Sequence, residues 1–235
     1  NCVFENDQAL PKPYITMWDV HGVTLEDCTF NGTGFTNEMG IYSIDADYKL
    51  TKNNVFNDFT IGVFASSGGN NLELEIGNPG INNHVSGDAN EFNNCLIGVY
   101  ISGMAKTVIS GNYFTRNSVG VYNESSPETK TKHNLFEETS TDNANMGILY
   151  TNTGGLPSEI YRNEFINIHN GVFAWANNDG VKIKCNDNDN VAYNLVVSGN
   201  DGIEGSINEQ QGFETLGDED APASNKFSTF FNSKK

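Results

Sequence analysis

The chain has 235 residues, 30 of them acidic against 13 basic, for a net charge of −17. Such a surface repels a phosphate backbone over most of its area, which removes nucleic acid from the expected partners. No apolar run approaches the roughly 18 residues of a membrane span, and no basic-then-apolar leader opens the chain. A soluble protein without its leader, or one cut from something longer, is expected.

A short motif recurs from the first residues onward. Cys2-Val3-Phe4 and Cys28-Thr29-Phe30 begin a series that continues as Asn54-Val55-Phe56, Asn90-Glu91-Phe92, Asn112-Tyr113-Phe114, Asn134-Leu135-Phe136 and Asn163-Glu164-Phe165. A degenerate copy begins at Asn186, with Asn188 in place of the aromatic, and Asn225-Lys226-Phe227 is the last. A second element follows each copy: Gly40-Ile41-Tyr42, Gly62-Val63-Phe64, Gly98-Val99-Tyr100, Gly120-Val121-Tyr122, Gly147-Ile148-Leu149, Gly171-Val172-Phe173 and, weakly, Gly202-Ile203-Glu204. Successive phenylalanines from Phe4 to Phe165 lie 26, 26, 36, 22, 22 and 29 residues apart, so the basic turn is about 22 residues with loops inserted in some copies. A fixed period of this length marks a stacked repeat.

The physics of a short strand then predicts the fold. Alternate side chains point to opposite faces, so the first and third residues of Asn-x-Phe face inward and the middle one outward, while Val63, Val99, Val121 and Val172 face inward and the next residue outward. One rung cannot bury its inner face alone, whereas rungs stacked at about 4.8 Å share a continuous core and pair every backbone group with the rung above and below. Equivalent asparagines then form an amide ladder. The prediction is an all-β chain, a right-handed parallel β-helix (solenoid) of about eight to nine rungs over residues 1–212. An acidic loop with a final repeat or cap follows over 213–235, continuing the same solenoid. Cys2 and Cys28 occupy neighbouring ladder positions within disulfide reach, but stacked side chains run parallel, and two unbonded thiols are the favoured reading. The four cysteines contain no CxxC pair, and no histidine stands at zinc-finger spacing, so no structural metal is expected.

These residues resemble the parallel β-helix repeat family, the pectate-lyase-like superfamily, which includes polysaccharide enzymes and many non-enzymatic surface proteins. Within it, Ile183-Lys184-Cys185-Asn186 through Gln211-Gly212, the stretch Ala221 to Ser228, and the opening Ile15 to Val23 resemble large Bacteroidota cell-surface proteins exported by type IX secretion. The resemblance implies an extracellular or cell-surface location and an adhesive or polysaccharide-contacting role. Parent-protein domains or the secretion machinery are the other implied partners. The abundance of asparagine, glycine, threonine and serine with little lysine suits a secreted, turn-rich β protein.

Enzymes of this resemblance hold calcium on aspartates of neighbouring rungs beside a basic residue, or use clustered aspartates to activate water. Here there is no Asp-Asp pair, no Gly-His-Gly and no Arg-x-Pro-x-x-Arg. Calcium is the one cofactor considered: Asp45-x-Asp47 and Asn186 to Asn190 are rich in oxygen ligands, yet neither continues as an EF-hand, and solvated loops are favoured. Lys132, His133, Arg162 and Lys184 fall on similar rung positions and are expected to form a basic patch able to grip an acidic sugar. His21, His84 and His169 look isolated. The outward file Tyr42, Phe64, Tyr100, Tyr122, Leu149 and Phe173, with Trp175 beyond it, is the candidate glycan-binding surface. Its competing reading is burial under inserted loops 66–85 and 125–131, since long exposed apolar stripes are rare. Trp18 is expected to be packed. The leading expectation is a non-catalytic, structural or adhesive extracellular module. A β-helix polysaccharide lyase or glycoside hydrolase is the alternative.

Overall fold

The computed structural model describes residues 2–5, 12–34, 37–68, 72–78, 80, 88–138, 145–199, 202–211 and 223–227. Three parallel sheets run the length of a coil. The first stacks eight strands: Cys2–Glu5, Cys28–Asn31, Val55–Asn57, Glu91–Asn93, Tyr113–Thr115, Leu135–Glu137, Glu164–Ile166 and Asp187–Asp189. The second stacks another eight: Pro13–Trp18, Met39–Ile44, Ile61–Ser66, Ile97–Ser102, Val119–Glu124, Met146–Thr151, Asn170–Trp175 and Tyr193–Ser198. The third has seven, from His21–Leu25 through Asp47–Leu50, Glu73–Gly77, Lys106–Ser110, Thr129–Lys132 and Ser158–Tyr161 to Val181–Lys184. This makes about seven complete turns rather than eight or nine, because the copy at Asn225 contributes only an isolated bridge between Asp187 and Lys226 among the described residues.

The register follows the motif. Phe30, Phe56, Phe92, Phe114, Phe136 and Phe165 are direct partners on successive strands. Their rings stack inside the coil with centroids 4.6–5.1 Å apart, Phe4 included, and Asn188 ends the file. Each such pair adds about 0.5–1.5 kcal/mol beyond the burial of the ring itself.

Beside this file runs the asparagine ladder. The side-chain Nδ2 of Asn54 donates to Asn90 Oδ1 at 2.9 Å, and the bond repeats from Asn90 to Asn112, Asn112 to Asn134, Asn134 to Asn163, Asn163 to Asn186 and Asn186 to Asn225 at 3.0–3.1 Å. The second Nδ2 proton goes to a carbonyl at the end of the third sheet, such as Ile76 O from Asn112 and Ile109 O from Asn134. Each acceptor also takes a backbone N–H, as Asn134 Oδ1 does from Asn112 N at 3.0 Å. A corner that would bury unpaired polar groups is thereby saturated.

Three corners close each rung, and most take one residue through the left-handed region. Asp27, Asn53, Gly111, His133, Arg162 and Cys185 do so before the first sheet, Asp58, Asn94, Arg116, Asn167 and Asn190 after it, and Asp19, Asp45, Gly103, Ser125, Asn152 and Ala176 before the third. Asparagine and aspartate tolerate this conformation because their short polar side chains bond locally. Gly120 is required for another reason: a Cβ there would lie 2.5 Å from the Phe136 ring and 2.7 Å from Gly147 O.

Cys2 and Cys28 are register partners and both are free thiols, Cys2 exposed and Cys28 buried. Burial, then the neighbouring Cys2 sulfur, pushes the Cys28 thiol up. Trp18 departs from expectation: it stands at the end of its strand on the outer face, 68% exposed. Strand parity fixes this, since Met17 takes the inward position.

Asn112→Ala removes two donated bonds and one accepted bond from a dry corner, and an expected loss of about 3–5 kcal/mol follows, read as a shift in the urea unfolding midpoint. Thr29→Ala, on the outward position of the same sheet, is expected to change stability by less than about 0.5 kcal/mol.

Candidate functional site

Two outer faces carry the residues singled out in the sequence. On the second sheet, Thr16, Tyr42, Phe64, Tyr100, Tyr122, Leu149, Phe173 and Val196 form one column, one residue per rung. All six ring-bearing or leucine members from Tyr42 to Phe173 are half-buried, so the file is neither open nor sealed. The rings use their faces on each other. Tyr42 stacks on Phe64 at 5.2 Å and Tyr100 on Tyr122 at 4.6 Å, while Phe64 meets Tyr100 edge-on at 5.2 Å. Tyr100 also donates its hydroxyl to Glu124, and burial first, then this carboxylate, raises its pKa well above the usual phenol value. A stacked file presents edges outward, whereas a sugar packs on a free face.

Free faces lie one column farther along. Trp18, Ile44, Ser66, Ser102, Glu124, Thr151, Trp175 and Ser198 are register partners, so the two tryptophans share a column at opposite ends of the coil. Trp175 is 37% exposed and its indole N–H donates to Gly199 O at 3.0 Å, fixing the ring. Tyr193, at the head of the last strand, is 56% exposed and meets His169 edge-on at 5.3 Å. Sequence reading found Trp175 and missed the exposure of Trp18, although counting parity back from Met17 would have exposed it.

On the third sheet the basic patch has a centre that the sequence did not reveal. Lys132, Tyr161 and Lys184 form one column, so the two lysines flank a tyrosine rather than each other. The Arg162 guanidinium lies 5.0 Å and the Lys184 ammonium 5.9 Å from the Tyr161 ring centroid, and the His133 ring meets it edge-on at 5.6 Å. These are cation–π and edge contacts that hold the patch together. Lys184 is buried and pairs with Glu159 at 2.7 Å. His133 is also buried, its backbone forming a corner, so two of the four cations expected on the surface are largely withdrawn from it.

In the calcium candidates, one carboxylate oxygen of each of Asp45 and Asp47 is held by neighbouring groups. Asp45 Oδ1 accepts Ser67 Oγ and Gly68 N, and Asp47 Oδ1 accepts Gly22 N and bonds His21 Nδ1 at 2.9 Å. His21 is therefore not isolated, since Asp19 also lies 3.5 Å from its Nε2. Asn186 belongs to the ladder, Asp187 pairs with Lys226, and Asn188 points inward. Among the described residues no three His, Cys, Asp or Glu side chains gather as metal ligands. His84 lies outside the described residues.

A family comparison matches this geometry. The model for the right-handed β-helix region covers residues 14–188. The chain belongs to the right-handed β-helix family. No curated protein and no solved structure matches it. Family membership carries the coil and its handedness, and the outer faces remain to be read from their own chemistry.

One acid stands apart. Burial raises the Glu138 carboxyl to about 7, against smaller lowering effects from the Asn117 backbone, the Asn145 side chain and Arg116. A carboxyl raised in the folded state stabilises it fully below the unfolded value near 4.5, and that contribution disappears as pH rises through about 7. Glu138→Gln is therefore expected to raise stability at pH 8 by on the order of 2–3 kcal/mol and to leave it nearly unchanged at pH 4. Thermal melts of both proteins across this range check it.

Proposed function

We propose that this chain is a rigid, non-catalytic β-helix module of a secreted or cell-surface protein, structural and adhesive, that meets glycans along the outer face of its second sheet. The export route suggested by the stretches Ile183 to Gly212, Ala221 to Ser228 and Ile15 to Val23 is type IX secretion. The observation that carries the reading is the pairing of a locked file, Tyr42 to Phe173, with exposed indoles at Trp18 and Trp175 on the neighbouring column. The file stiffens the face, and the tryptophans offer the open π surfaces that sugar C–H groups pack on. Many side chains able to do chemistry are committed to building the coil: asparagines to the ladder, aspartates to corners, and Arg162 and Lys184 to Tyr161.

A polysaccharide lyase or glycoside hydrolase is the second reading, and Glu138 supports it. A carboxyl that holds its proton near neutrality is what a general acid needs.

A glycan array on the purified chain tests the first reading, with Trp18→Ala and Trp175→Ala beside it. Binding is expected for the parent protein, with a loss of roughly tenfold in each variant and unchanged melting temperature. Turnover of an acidic polysaccharide that is abolished by Glu138→Gln would replace it with the second.

A further inference from the structure

The coil has a concave site on its third sheet, away from the aromatic face. A depression of about 290 Å³ is lined by Lys130, Lys182 and Lys184, with Ser158, Glu159 and Asn208 between them and Gly155, Pro157 and Gly180 at its rim. Lys130, Glu159 and Lys182 are one column on three consecutive strands, and Lys184 reaches Glu159 from the next column. Lys130 and Lys182 therefore stand two rungs apart, about 10 Å along the axis, on either side of one carboxylate.

The charge here runs against the rest of the molecule. The chain carries −17, yet five of its 13 basic residues, Lys130, Lys132, Arg162, Lys182 and Lys184, fall on three successive rungs of this one face. Within the depression three lysines face one carboxylate, with Glu128 and Asp179 in the turns that lead into two of the strands. A local positive basin in a negative protein concentrates anions where they would otherwise be repelled.

The donor type narrows the ligand. The fork of arginine matches carboxylate and phosphate alike through a planar, bidentate contact, whereas lysine ammoniums act as point charges that need no planar partner and can converge on a tetrahedral oxyanion from several sides. The depression holds lysines alone, Arg162 being turned to Tyr161. Its volume suits a single substituted sugar ring, and Asn208 and Glu159 supply neutral and acceptor groups for hydroxyls.

We propose that this depression binds a sugar-borne tetrahedral oxyanion, a sulfate or phosphate ester, between Lys130 and Lys182. The site extends beyond the aromatic face and is independent of the tryptophans, so failure of either leaves the other standing.

Calorimetric titration of the full chain with glucose 6-sulfate, glucose 6-phosphate, glucuronate and glucose tests it. Both esters are expected to bind at least roughly fivefold more tightly than glucuronate and to weaken as salt rises, with glucose not binding. Lys130→Gln and Lys182→Gln are each expected to lower ester affinity roughly three- to tenfold. Glu159→Gln, which removes the opposing charge, is expected to raise it. Lys49→Gln, in the same column but three strands before Lys130 and outside the depression, is expected to change nothing. The stronger of the two esters identifies a sulfated or a phosphorylated carrier. Glucuronate binding as tightly as the esters, no ester binding at low salt, or equal damage from Lys49→Gln would overturn the proposal.

Discussion

From Asn54 onward each rung of this coil turns a corner at an asparagine whose amide bonds the asparagine of the next rung, the end of the third sheet and a backbone N–H of the preceding rung. That single side chain fixes three things together. It satisfies the polar groups that a tight corner would strand, it sets the axial spacing between rungs, and it locks the register of the strand that follows. A slip of one residue would turn every phenylalanine outward and every exposed residue into the core. The phenylalanine file beside it is the apolar counterpart, and the two are coupled because only one residue separates them in sequence.

With register locked, the outer faces inherit their order. Residues scattered through the chain at intervals of 22 to 36 become columns, so a chemical property placed once per repeat becomes a stripe along the molecule. This explains both the half-buried aromatic file and the alternation of Lys130, Glu159 and Lys182. It also explains why the surface is conspicuous without being obviously functional. A stripe that stacks on itself stabilises the coil, and the indoles that escape stacking, Trp18 and Trp175, keep exposed faces.

The period, the inward ladder and the valine core were legible because each is a strong type preference at a fixed offset. The third sheet was not. Its inward positions in the middle rungs include Thr107, Thr129, Thr131 and Ser158, all buried, beside Ile109 and Ile160, and polar residues there blur the alternation that announces a strand. Two of these hydroxyl-bearing rungs surround the buried Tyr150, whose hydroxyl bonds Thr131 at 2.8 Å. Because that sheet was unread, the neighbours of the basic residues were unread too. His133 and Arg162 were placed side by side from the motif, but Tyr161, which joins them to Lys184, belongs to a strand without a recognisable signature. The depression was hidden for the same reason, being made of residues that only the third sheet aligns.

The ladder is the claim on which this account depends, and side-chain amide hydrogen exchange measured by NMR tests it most directly. The Nδ2 protons of Asn90, Asn112, Asn134 and Asn163 are expected to be as protected as the backbone amides of the strands that follow them, since all donate bonds in the dry interior. Exchange at the rate of an exposed asparagine such as Asn152 would contradict the ladder, and with it the register on which both surface sites rest.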